Sequence, residues 1–120
     1  VTVERNRKLE RELLELVAAE RPVYIQEVTA RLDRFEEDDG GNLQGWDADV
    51  DQILAEAQEE AADVSGWLIG AAAKLETHQL HKLVLAMRFA SWAHRELGAL
   101  RVELAMVGQP ASASAKNGPA

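Results

Sequence analysis

The chain contains no cysteine, which removes a disulfide framework, a thiolate zinc site and a cysteine nucleophile together. Proline and glycine are too few, at three and eight in 120 residues, to supply the turns of an all-β domain, and no segment alternates apolar and polar residues as a strand would. No apolar run approaches the roughly 20 residues that cross a bilayer; the longest candidate, Val64 to Ala73, is interrupted by Ser65, Gly66 and Gly70. Glu4, Arg5, Arg7 and Lys8 precede any apolar run, so no signal peptide is expected and the chain reads as soluble and cytoplasmic. Serine chemistry lacks a motif around Ser65, Ser91, Ser112 or Ser114, and Gly40-Gly41 is not followed by the residues of a phosphate-cradling loop.

Positive charge is missing from a third of the chain. Residues 35–73 hold eleven Asp and Glu and no Lys or Arg, whereas residues 1–34 hold seven of each sign and residues 74–120 six basic and three acidic. The net charge of −8 argues against a general duplex nucleic-acid binder, whose affinity comes from neutralising phosphates. It suits a cation, a basic protein partner or solubility alone.

What is present is helical periodicity. With 47% hydrophobic residues the chain can build a core, and its length suits one domain, expected over 1–107 with a disordered tail over 108–120. A first helix is predicted over about 3–20, with Leu9, Leu13, Leu16 and Val17 on one face. Arg21-Pro22 breaks it. A second helix, about 23–37, has Ile25, Val28, Leu32 and Phe35 as its buried stripe and ends at Gly40-Gly41. A third, about 48–76 with Asp47 as N-cap, has Ile53, Ala57, Val64, Trp67 and Ala71 on one stripe and Leu54, Ala61 and Leu68 beside it. A fourth, about 78–107 after Thr77, turns Leu80, Leu83, Val84, Met87, Ala90, Leu97 and Leu104 inward. Four helices with short connections predict an all-α, four-helix bundle-like domain. Its two long C-terminal helices outrun the first pair, leaving apolar surface that predicts a homodimer.

One element carries candidate chemistry. On the third helix Glu56, Glu60 and Asp63 are spaced by four and three and share a face. Glu60 also falls on the apolar stripe, where an unpaired carboxylate is costly. A buried proton, a basic partner or a divalent cation would compensate, and Mg²⁺ or Mn²⁺ suits clustered carboxylate oxygens. Against this stands a solvated acidic face or an interhelix salt bridge. Glu27 is the candidate carboxylate from the second helix. His81, Lys82 and Arg88 could meet a bound phosphate, or simply pair with the acidic helix. His78 and His81 lack a third zinc ligand. Trp67 is expected in the core, and Trp46 in a loop.

The stretch Glu59-Glu60-Ala61-Ala62-Asp63-Val64, followed by Ser65-Gly66-Trp67-Leu68-Ile69, resembles the second half of the MazG-like signature, E-x-x-D before an apolar helix. The resemblance implies an all-α nucleoside triphosphate pyrophosphohydrolase in which Glu60 and Asp63 ligate Mg²⁺ and the metal holds a nucleoside triphosphate for attack by water. That family pairs the motif with E-E-x-x-E on the preceding helix. Here Glu36-Glu37-Asp38-Asp39 begins the pattern and Gly40 stands where the last Glu belongs. The alternative is a non-catalytic helical protein that dimerises or binds a partner through its long helix pair.

Overall fold

A computed structural model describes residues 4–38 and 46–108, and every regular element among them is helical. The helices are α1 (Arg7–Ala18), α2 (Pro22–Asp38), α3 (Val50–Ala72) and α4 (Leu80–Val107), with a 3₁₀ turn at Thr77–Gln79 before α4. The all-α class and the two long C-terminal helices are as the periodicity predicts; the tail expected after Gly108 lies outside the described residues. The chain divides into two compact units, Val1–Asp49 and Val50–Ala120, each built on a helical hairpin.

In the first unit, the Asn6 side chain accepts a hydrogen bond from the Leu9 amide at 3.0 Å, satisfying one of the free donors at the start of α1. The chain reverses at once after α1, where the Arg21 amide donates to the Ala18 carbonyl at 2.8 Å. Pro22 opens α2, a position where its missing N–H costs nothing. Arg21 lies over the Tyr24 ring at 5.1 Å. The packed faces are Leu14 and Ala18 of α1 with Ile25, Val28 and Leu32 of α2, all half-buried except Ala18, the one fully buried residue among those described. This corrects the predicted α1 stripe: Leu16 is 80% exposed, and Leu9, Leu13 and Val17 are exposed with it. Small Ala18 is buried next to the tight turn. Phe35 is exposed as well.

In the second unit, α3 and α4 run antiparallel. Arg101 grips Asp51 through Nε to Oδ1 at 2.8 Å and Nη2 to Oδ2 at 3.0 Å. It also donates through Nη1 to Gln58 Oε1 at 2.8 Å, and Gln58 Nε2 donates to the His94 carbonyl at 3.0 Å. These bonds place residue 51 beside 101 and 58 beside 94. Leu54, Ala61, Ser65, Leu68 and Ala72 then meet Leu80, Leu83, Met87, Ala90 and Leu97, all half-buried. Spacings of three and four on both helices are those of a coiled-coil seam. The predicted α4 face holds except at Val84 and Leu104, which are exposed. On α3 the stripe beginning at Leu54 is half-buried throughout; on the other, Ile53 and Ala57 are half-buried as well, whereas Val64, Ala71 and Trp67 are exposed, Trp67 at 81%. The turn is closed by Gln79, whose Oε1 accepts from the Glu76 amide at 2.9 Å, so α4 starts at Leu80 rather than beside Thr77.

Candidate functional site

The α3 carboxylates lie where helix geometry puts them. Glu56, Glu60 and Asp63 are all exposed, on the side of α3 turned away from the Leu54–Ala61–Leu68 seam. Glu56 accepts from Gln52 at 2.8 Å. Neither Glu60 nor Asp63 forms an ion pair with a described residue. Glu60 sits between half-buried Ala57 and exposed Val64 on an apolar stripe, and its carboxylate is exposed. Carboxylate oxygens are the right donors for Mg²⁺. Among the described residues, however, no three acidic or histidine side chains converge closely enough to hold a metal ion. Glu27, in the first unit, is exposed and stands 3.9 Å from Arg31 on its own helix.

The basic candidates form no single cluster. The His81 ring nitrogen Nδ1 lies 3.2 Å from the His78 carbonyl oxygen, a local contact between the 3₁₀ turn and the start of α4, and His78 faces Glu76 at 3.6 Å. Lys82 is exposed. Arg88 lines a shallow groove with Ser91, Trp92 and Arg95 on the outside of α4.

Two arrangements escape sequence reasoning. The first is a clamp on Arg5, whose side chain is 1% exposed. Its guanidinium donates to both Glu10 oxygens at 2.7 and 2.6 Å and reaches Asp33 and Glu36 on α2. The Glu10 hydrogen bonds hold Arg5 above its ordinary pKa, and Arg5 in turn holds the Glu10 and Asp33 carboxyls below theirs. Its partners on α2 lie 28 and 31 residues away, so no local spacing announces them. Beside the clamp, Leu9, Leu13, Leu14, Val28, Leu32 and Trp46 line an apolar groove of about 430 Å³.

The second is the outer side of α4. The helix is apolar on two opposite sides: one packs on α3, and the other exposes Leu85, Phe89 at 66% and Trp92. The Trp92 indole donates to Glu96 at 2.9 Å. A repeat of seven through 82, 89 and 96, with 85 and 92 between, was the readable signal. No helix among the described residues is long and apolar enough to cross a membrane.

Comparison with protein families, curated proteins and solved structures yields no match, so the function is argued from this geometry.

Proposed function

We propose that this chain is a helical interaction protein that works by self-association. The observation that carries the reading is α4, a 28-residue helix with one apolar side packed on α3 and a second, aromatic side open. An amphipathic helix in a hairpin needs only one apolar side, and a contiguous second apolar patch on a small chain marks an interaction surface. Light scattering of the full chain from about 1 to 500 µM tests it. The mass should rise from the 13.2 kDa of one chain toward at least twice that value. A constant monomer mass would end the reading.

A second reading stays in view for one reason. Glu60 lies on the apolar stripe of Ile53, Ala57 and Val64, so an assembly that covers this stripe would strip water from its carboxylate and favour a compensating cation. That supports a MazG-like, Mg²⁺-dependent nucleoside triphosphate pyrophosphohydrolase, with Glu60, Asp63 and Glu56 as ligands and further groups drawn from outside the α3–α4 hairpin. Bound Mg²⁺ would neutralise phosphate charge and activate water. Pyrophosphate release from a panel of nucleoside triphosphates with Mg²⁺, abolished by Glu60→Gln in a folded protein, would carry this reading over the first.

A further inference from the structure

Given self-association, we infer that the second copy docks antiparallel on the outer side of α4, with Phe89 against the partner's Phe89. At about 100° per residue, positions 82, 85, 89, 92 and 96 share the side of α4 opposite the Leu83–Met87–Ala90 seam. Leu85, Phe89 and Trp92 are its exposed apolar members. Lys82 and Glu96 are exposed at its ends, each seven residues from Phe89. Lys82 has no ion-pair partner among the described residues, while Glu96 is held by Trp92 at 2.9 Å and Arg95 at 3.4 Å.

The charges choose the occupant and its direction. A second copy laid antiparallel about Phe89 brings Lys82 to the partner's Glu96 and Glu96 to the partner's Lys82. Leu85 then falls beside the partner's Trp92. A parallel copy would place lysine on lysine and glutamate on glutamate, which is unfavourable. The patch is therefore complementary to itself under a two-fold axis, the requirement for an isologous dimer. The strip from 82 to 96 is about 21 Å long on a helix about 10 Å across. That is about 210 Å² a side, well below the roughly 800 Å² a side of a stable interface, so association through this strip is expected to be weak, with dissociation in the high micromolar range or above.

Sedimentation of the full chain over a concentration series, with Lys82→Glu, Glu96→Lys and the double variant, decides the matter. Each single change sets two like-charge pairs across the axis and should weaken association about tenfold. The double change exchanges the signs and should restore it to within about twofold. Because the chain has no native cysteine, Lys82→Cys and Glu96→Cys chains supply an independent readout. Mixed and oxidised, they should form a disulfide between the two variants, and neither alone should crosslink to itself, since the bond needs Cα atoms within about 7 Å. Single variants that associate as tightly as the native chain, or a double variant that stays weak, would overturn this interface while leaving self-association standing. A native chain that stays monomeric throughout would overturn both.

Discussion

At Arg5 the deciding quantity is burial. Its guanidinium is shut off from water at 1% exposure while Asp33, one of its partners, is half open. The carboxyls of Glu10 and Asp33 are held below their ordinary values by Arg5. Their contribution to the folded hairpin is therefore complete at neutral pH and is lost as pH falls through the depressed values, below about pH 4. Arg5 stays charged throughout. Replacing Arg5 with Gln removes both Glu10 hydrogen bonds and leaves three carboxylates together. We expect a loss of about 1–2 kcal/mol after solvent screening. Far-UV circular dichroism during an acid titration should show a low-pH melting limb in the native chain that flattens in Arg5→Gln. An unchanged limb would place the acid sensitivity elsewhere.

Residues of this kind mark where sequence reasoning stops. Pro22 was readable as a helix breaker and start because it acts within a turn of its own position, whereas the Asn6 cap, which starts α1 at Arg7 rather than near residue 3, was not read. The Arg5 clamp spans two helices and depends on how α1 rotates against α2. That rotation is a fact of packing between the two helices, which the periodicity of either one does not contain.

At the scale of the element, periodicity located all four helices but not always their inward faces. Helix α3 has two neighbouring apolar stripes, and periodicity does not choose between the one with Leu54, Ala61 and Leu68 and the one with Ile53, Val64 and Trp67. The polar set of Asp51, Arg101 and Gln58 decides for the first. It fixes the register of the hairpin and turns Leu54 inward, as a polar group in a coiled-coil seam commonly does. Glu60 falls on the second of these stripes, and its carboxylate is exposed, which agrees with a solvated acidic face. The three glycines test the packing. An added Cβ at Gly98 would lie 2.9 Å from Gln58 Nε2, whereas Gly66 and Gly70 have nothing within 4 Å. Glycine to alanine inside a helix gains about 1 kcal/mol. At Gly98 the displaced amide loses its bond to the His94 carbonyl, about 1 kcal/mol in the other direction. Urea melts should therefore find Gly66→Ala and Gly70→Ala stabilising and Gly98→Ala near neutral. A gain at Gly98 equal to that at Gly66 would mean that the Gln58 bond contributes little.

At the scale of the whole molecule, one side chain separates the two functional readings. Glu60 interrupts an apolar stripe whose later part, Val64 and Trp67, is exposed in the α3–α4 hairpin. If self-association leaves this stripe in water, Glu60→Leu changes little at any protein concentration. If a partner covers it, the carboxylate loses hydration without gaining a partner, and Glu60→Leu raises the melting temperature more at high concentration than at low. Divalent ions give the complementary signal. A ligand bound only by the folded state raises the melting temperature by mass action. Under the self-association reading, millimolar Mg²⁺ leaves the native melting temperature unmoved and Glu60→Gln melts like the native chain. A rise of several degrees with Mg²⁺, absent in Glu60→Gln, would show a cation seated at the carboxylate and transfer the weight to the pyrophosphohydrolase reading. Calorimetry at two protein concentrations, with and without Mg²⁺, measures both signals in one series.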